Sequence, residues 1–251
     1  MAQRDWDAAT YERISDPQLA WAVPVLDRAA IEAHERVLDA GCGTGRVTQL
    51  VVERAGVVIA VDASPAMCER ARAALGDRAL VLCQDLLELQ LDEPVDVAFS
   101  TATFHWILDH DRLFRRLHAA LRPGGRLVAQ CGGAGNLDRF LAVAHAVSET
   151  PRYEPYLADL ASAWHFATPE RTEQRLRAAG FTSIRAWLAP APVTPPDPPA
   201  FVSAVCLRCH LDHLPERLRQ PFVAEILERL EDPVLDYVRL NIDARKPAAG
   251  A

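Results

Sequence analysis

Lysine is nearly missing from this 251-residue chain: of its 27 basic residues only Lys246 is not an arginine. Asparagine is scarce too, at Asn136 and Asn241 alone, a bias that points to a GC-rich coding sequence rather than to a function. Excess positive charge is absent, since 27 basic against 34 acidic residues leave a formal charge of −7. The chain therefore lacks the net charge that draws proteins to phosphate backbones or anionic lipid. No apolar run approaches the roughly 18 residues that span a bilayer. The start, Met-Ala-Gln-Arg-Asp-Trp-Asp, puts charges where an export signal needs an apolar stretch, so a cytoplasmic location is expected. In that reducing compartment the six cysteines, at 42, 68, 83, 131, 206 and 209, are expected to stay out of structural disulfides. What is present, 50% hydrophobic and 24% charged residues, is an ordinary globular composition. At about 150 residues per domain the length fits one domain with a sizeable insertion.

From residue 36 to about 133 one pattern repeats, a short β-rich apolar run followed by an amphipathic stretch. The runs fall at 36–40, 57–62, 79–83, 95–99 and 126–131, and the helical stretches at about 44–55, 64–75 and 109–121. Strands apolar on both faces that alternate with helices predict a doubly wound, mostly parallel α/β sheet whose ligand sits at the carboxyl ends of the strands. Upstream, residues 6–30 read as helix. Downstream, Thr168-Pro-Glu opens a helix to about 179, and a strand is expected at 181–188. Six prolines in 190–199 predict an extended connector, followed by a helical insertion at about 200–231 and a last strand near 237–243. The division expected is a helical cap at 1–35, a ligand-binding core at 36–132, lid segments at 133–168 and 190–231, and the remaining core elements at 169–189 and 232–246.

The strongest motif joins the first strand to its helix: Asp39, Gly41, Cys42, Gly43 and Gly45, a D-x-G-x-G-x-G sequence. Glycines there permit a tight turn and close approach of a ligand to the main chain. A dinucleotide fingerprint needs a third glycine where Arg46 stands, so that reading fails. The acid before the turn suits a ligand with an ammonium group. Asp62 ends the second strand about 20 residues on, the placement of an acid that bridges ribose hydroxyls. Asp85, after the third strand, suits an exocyclic amine such as adenine's. An amino acid, a ribose and an adenine together describe S-adenosylmethionine.

In these motifs, and in their order, residues 36–132 resemble a class I S-adenosylmethionine-dependent methyltransferase. Further matches are Ala63 with Met67, Gln84-Asp85-Leu86, and the turn Leu121-Arg-Pro-Gly-Gly before the fifth strand. The entry Trp6-Asp-x-x-x-Tyr11 and the run Phe104-His105-Trp106 are similar to the subgroup containing trans-aconitate methyltransferases. The resemblance implies a seven-stranded sheet with helical lid insertions. It also implies the cofactor S-adenosylmethionine, which leaves as S-adenosylhomocysteine, and no metal. Gly41, Gly43, Gly45 and Asp39 would then meet the methionine portion, and Asp62 the ribose. Ala63, Met67, Asp85 and Leu86 would meet the adenine, Thr101 the methionine end again, and Tyr11 would close over the whole.

The acceptor is expected to be a small molecule, with no nucleic-acid or membrane partner and with the protein a monomer or homodimer. Candidate acceptor contacts are Tyr11, Trp21, His105, Trp106, Trp164, His165 and Phe166. His105, after the fourth strand, is the first choice for a base or positioning donor, with His110, His165 and His210 behind it. Aromatic residues outnumber the arginines available as carboxylate clamps (Arg139, Arg152, Arg208, Arg239), which favours an apolar or aromatic specialised metabolite. Carboxyl O-methylation of a small organic acid is the second reading, and a non-catalytic S-adenosylmethionine-binding sensor or partner subunit is the rival of another class. Cys206, Cys209, His210 and His213 imitate a haem or zinc sequence. Their i, i+3, i+4, i+7 spacing instead predicts one buried stripe of an insertion helix, because four ligands on one straight face cannot surround an ion.

Overall fold

The computed structural model describes residues 16–160 and 164–250. In chain order the helices and strands of the first half are α1 (Asp16–Ala29), β1 (Arg36–Ala40), α2 (Thr48–Val52), β2 (Val57–Asp62), α3 (Pro65–Leu75), β3 (Leu80–Cys83), β4 (Val95–Thr101), α4 (His110–Ala120) and β5 (Leu121–Gly132). There follow α5 (Asp138–Ser148), α6 (Glu154–Leu157), α7 (Pro169–Ala178), β6 (Thr182–Pro190), α8 (Pro198–Phe201), α9 (Arg208–His213), α10 (Glu216–Leu230) and β7 (Val238–Arg245). The helix expected at 44–55 shrinks to α2, because Gly43 and Gly45 take positive φ values of 54° and 86° that helix cannot accommodate. Its neighbour α3 starts at the signal its sequence carries: Ser64 accepts a hydrogen bond from the Met67 N–H at 3.2 Å, and Pro65 takes the first helical position.

The described chain divides into two compact units. The first comprises residues 16–134, His165–Ala189 and 239–250. Its seven strands form one sheet in the order β3-β2-β1-β4-β5-β7-β6. The pairs β2–β3, β1–β2, β1–β4 and β4–β5 are parallel, and β7 runs antiparallel to β5. Alternate residues of each strand face opposite helical layers. Val37, Val58, Val97, Phe99 and Val128 pack with Val25, Leu26 and Ala29 of α1, while Leu38, Ile59, Ala98, Leu127, Leu240 and Ile242 pack with Leu113 and Leu117 of α4 and Leu176 of α7. The layer under α1 is not wholly apolar. Gln130 donates to Asn241 at 2.9 Å, Arg28 donates to the same Asn241 oxygen at 3.0 Å, and Arg28 pairs with Asp243 at 3.2 Å.

The second unit comprises residues 135–160, Trp164 and Pro190–Val238. Its core includes Tyr153, whose ring meets that of Phe222 edge-on at 4.9 Å. The proline tract is not extended to its end, because Asp197 caps α8 through the Ala200 N–H at 3.0 Å and Pro198 and Pro199 occupy positions that need no donor. The expected continuous stripe of Cys206, Cys209, His210 and His213 is corrected as well. A π turn over Val202–Cys206 and a break at Leu207 separate Cys206 from α9. Cys206 then meets the Tyr237 hydroxyl at 3.6 Å, His210 stacks on Phe222, and His213 is exposed with its Nδ1 2.7 Å from the Cys209 carbonyl. Among the described residues no group of three or more such side chains is placed to hold a metal ion, and no helix is long and apolar enough to cross a membrane.

The end of α1 is tied to the sheet by one arginine. Arg126 on β5 grips Glu35 with two bonds of 2.7 Å, and it also donates to the Ala29 and Ala30 carbonyls at 2.7 and 2.8 Å. The guanidinium holds the Glu35 carboxyl below its ordinary value, so this contribution to stability is present in neutral solution and is lost as pH falls below the usual carboxylate range. Replacing Arg126 by Met strands the buried Glu35 carboxylate. The expected cost is about 3 kcal/mol in urea unfolding at neutral pH, against a far smaller cost in acid.

Candidate active site

A cavity of about 800 Å³ opens at the carboxyl ends of β1, β2 and β4, within the size range of small-molecule sites. Its first wall is the turn after β1. Gly41 and Cys42 both donate to the Val61 carbonyl, at 2.8 and 2.9 Å, and the Gly43 N–H donates to Asp62 Oδ2 at 2.9 Å. The turn is closed from the other side by Thr103, whose hydroxyl donates to the Gly41 carbonyl at 3.1 Å. A Cβ on Gly41 would lie 2.6 Å from Thr103 Cβ and closer still to its γ atoms, so only glycine fits. Gly43 differs, since a Cβ there meets nothing within 4 Å.

Three acids reach the cavity with different surroundings. Asp39, 2% exposed, accepts from the Thr48 hydroxyl at 2.7 Å. Burial pushes its carboxyl up to about 7, with the Thr48 bond opposing and the nearby Asp62 charge adding to the rise. Asp62 receives the Gly43 and Ser64 N–H groups, one on each oxygen, both at 2.9 Å. Asp85 is exposed and caps the following turn through the Leu87 N–H at 2.8 Å. Ala63, Met67 and Leu86 line the same end of the cavity.

Of the residues picked out in the sequence, Asp39, Gly41, Cys42, Gly43, Asp62, Ala63, Met67, Asp85, Leu86, Thr101 and Trp106 come together on this wall. Gly45 does not. It stands behind the turn, where a Cβ would lie 3.2 Å from Leu75 and 3.3 Å from the Ala71 backbone of α3, so its role is close packing. Tyr11 and the Trp6 entry lie outside the described residues. Leu19, Arg46, Ala102 and Thr103 also line the cavity and carried no signal of their own. Ala102 is notable for its positive φ of 56°, a strained conformation for alanine of about 1 kcal/mol, held by its N–H bond to the Gln130 carbonyl at 2.8 Å.

His105 is off the cavity wall and is not placed as a base. Its Nδ1 accepts the Gly132 N–H at 3.2 Å, so its basic lone pair is engaged and its proton sits on Nε2. Burial first, then the Arg239 and His110 charges, hold the imidazole well below its ordinary value. The other histidines are equally committed. His110 Nε2 bonds the Phe104 carbonyl at 2.9 Å and burial lowers it to about 4, while His165 Nε2 accepts from Arg175 at 3.1 Å. His110 and His165 stack at 4.5 Å, and the His165 N–H reaches the His105 carbonyl at 2.8 Å, so the three rings brace the loop after β4. His210, in the second unit, is lowered to about 4 by burial. Phe166 lies 6.0 Å from the His105 ring, Trp164 is half-buried in the second unit, and Trp21 lies 4.6 Å from the Arg239 guanidinium. Cys42, pushed up by burial and two nearby acids, is no nucleophile.

A family profile described as a methyltransferase domain matches residues 38–129. A trans-aconitate 2-methyltransferase of Methylobacterium nodulans is 33% identical over 193 residues, covering 76% of this chain and 69% of the relative. One from Rhizobium leguminosarum is 31% identical over 231 residues and covers 90% of both. The chain belongs to the class I S-adenosylmethionine-dependent methyltransferases. It is an S-adenosylmethionine-dependent enzyme similar to trans-aconitate methyltransferases. Its fold is shared by Haemonchus contortus phosphoethanolamine N-methyltransferase 2, solved with S-adenosylhomocysteine, at a TM-score of 0.64 and 20% identity; the alignment covers 96% of this chain and 57% of that one. The open space over Gly43, the acids at both ends and the apolar surface of Met67 and Leu86 fit a cofactor with a cationic amino-acid end, a ribose and a flat base.

The two glycines of the turn should separate experimentally. Gly41→Ala forces both a strained φ and a clash with Thr103, and should lower stability by about 3 kcal/mol in urea unfolding without any ligand. Gly43→Ala should cost the empty protein only about 1 kcal/mol, yet weaken S-adenosylhomocysteine binding by about tenfold in calorimetry, because its methyl enters the cavity.

Proposed function

We propose that this methyltransferase acts on a small organic acid and delivers the methyl group to a carboxylate oxygen. The cofactor would lie with its methionine part on Gly41 and Gly43, its ammonium facing Asp39, its ribose on Asp62, and its adenine between Ala63, Met67 and Leu86 with Asp85 at the amine. When bound, S-adenosylmethionine supplies a methyl on a sulfonium, and its transfer to a carboxylate forms an O–C bond, returns the C–S pair to sulfur and moves no proton. The chain's part is therefore alignment and exclusion of water rather than proton transfer.

The observation that carries this reading is the alignment of a trans-aconitate 2-methyltransferase over nine-tenths of both chains. The histidines support it. Every histidine considered as a base is neutral and buried or bonded elsewhere, an arrangement that suits an acceptor already ionised at neutral pH. The preference for an apolar acceptor rested on aromatic residues. Of these Trp106 lines the cavity, but Trp21 covers an arginine, which turns the weight toward an acid.

Incubation with S-adenosylmethionine and trans-aconitate should give a base-labile methyl ester, seen by mass spectrometry; turnover of only phenols or amines would refute the reading. His105→Asn keeps an acceptor for the Gly132 N–H but removes any base. It should retain kcat within about tenfold, whereas loss of a general base costs 10²–10⁴-fold. Asp39 gives a pH signature. Its folded value of about 7 lies above the ordinary 3.8, so the empty fold holds an extra proton between the two and loses stability as pH rises through that window. An ammonium beside Asp39 favours the carboxylate. Affinity for S-adenosylhomocysteine should accordingly rise between about pH 6 and 8, and Asp39→Asn should flatten the rise.

A further inference from the structure

Two of the six cysteines meet beside the cavity. Cys68 lies in the first turn of α3, directly after Met67, and Cys83 ends β3, two residues before Asp85. Alternation along β3 puts Cys83 on the face of Val81, and Val81 packs with Cys68, Ala71 and Leu75 of α3 in one buried cluster. Register then sets Cys83 opposite Asp62. The Cys68 Sγ is 3.3 Å from the Asp62 carbonyl and 3.7 Å from the carbonyl of Leu82, the residue before Cys83. The Cys83 Sγ is 3.9 Å from the carbonyl of Ala63, the residue after Asp62, and the two thiols share a hydrogen bond. Cys42 belongs to the same cluster, but its thiol turns to the Gly43 carbonyl at 3.6 Å.

The two thiols differ in access. Cys68 is fully buried, whereas Cys83 is exposed at the end of the sheet's edge strand. Burial first, then the hydrogen bond and charge of Cys83, raise the Cys68 thiol, so it stays protonated in neutral solution. An exposed thiol in contact with a buried one is an arrangement in which the first reacts and the second resolves. A small-molecule disulfide serves as the oxidant. The Cys83 sulfur attacks it, forming a mixed disulfide and releasing one thiol, and the Cys68 sulfur then displaces the second thiol. Two electrons pass from the protein pair to the carrier, and the two thiol protons leave with the released thiols. A disulfide brings its sulfurs to about 2.05 Å, closer than hydrogen-bonded thiols lie, so the first turn of α3 or the end of β3 must shift. Those two segments carry Met67 on one side and Asp85 and Leu86 on the other, all on the cavity wall.

We propose that Cys68 and Cys83 are a redox modification site, a dithiol that small-molecule disulfides convert reversibly into a bridge, and that the bridge weakens cofactor binding at the adenine end. This rests on the adenine placement given above and is independent of the acceptor. Coupling of this kind is reciprocal: a bridge that weakens the cofactor is itself disfavoured by bound cofactor, by the same factor.

The test equilibrates the protein with reduced and oxidised glutathione, alkylates the free thiols and digests with trypsin. Cleavage after Arg46, Arg54, Arg70 and Arg78 puts Cys42, Cys68 and Cys83 on separate peptides, so mass spectrometry reads the partners of a bridge directly. A bridge between Cys68 and Cys83 is expected. The oxidised protein should bind S-adenosylhomocysteine about tenfold more weakly in calorimetry and recover with dithiothreitol, and saturating S-adenosylhomocysteine should shift the disulfide equilibrium about tenfold toward the dithiol. Cys83→Ser should bind S-adenosylhomocysteine as the reduced wild type does and lose the response of affinity to oxidised glutathione, while Cys68→Ala should stop at a mixed disulfide on Cys83. Because Cys83 is exposed, its variant keeps the test decisive even where Cys68→Ala does not fold. Asp85→Ala in the reduced protein tests the adenine placement by itself: unchanged affinity there, with a bridge that still weakens binding, keeps the redox site and moves the adenine. A bridge between Cys42 and Cys68, glutathione on Cys83 with no bridge, or a Cys68–Cys83 bridge that leaves the affinity unchanged overturns the proposal.

Discussion

The backbone of the turn after β1 has almost no freedom left. Gly41 and Cys42 give their N–H groups to the end of β2, Gly43 gives its own to Asp62, and the Gly41 carbonyl takes the Thr103 hydroxyl from the loop beyond β4. Three strand ends are thereby sewn to one another at the place where the sheet's connections diverge. The consequences spread outward. The Asp62 carboxylate is held in place because the turn and Ser64 each donate to one of its oxygens, and Ala102 can sit in a strained conformation because Thr103 and Gln130 hold the residues around it. Rigidity of this kind keeps an alignment-driven reaction from losing its geometry to thermal motion.

Much of this was legible before any coordinates. The strands β1 to β5 could be read from apolar runs because a parallel sheet is covered on both faces, and the glycine turn because acids followed in order at the ends of the first three strands, Asp39, Asp62 and Asp85. The α2 region was not legible, since helix periodicity continues through residues 44–47 while the dihedrals of Gly43 and Gly45 do not. The insertion read as one helix because its apolar spacing persists across the Leu207 break. His105 drew attention by position alone; its commitment to the Gly132 amide is a contact between residues 27 apart, which no local pattern encodes. Arg239 had a signal in plain view. Arg239, Asn241 and Asp243 alternate with the buried apolar residues Leu240, Ile242 and Ala244 on β7, and polar residues in such a row need partners from elsewhere.

The two ends of the sheet's carboxyl edge divide the electrostatic work. Acids gather at β1, β2 and β3, with Asp39 half-protonated near neutrality because of its burial. On the other side Arg28 of α1 and Arg239 of β7 are held in a polar chain through Gln130 and Asn241, and the buried His105 stays neutral.

The position of β7 in the sheet has a consequence for how the molecule is made. It lies between β5 and β6 but follows both in the chain, so the nascent protein carries two strands with no link between them until about residue 245 has left the ribosome. The edge of β5 is open throughout that interval, and open edges are where growing chains associate wrongly. Arg239, Asn241 and Asp243 thus arrive last. The polar row that orients the arginine is completed at the same moment as the sheet itself.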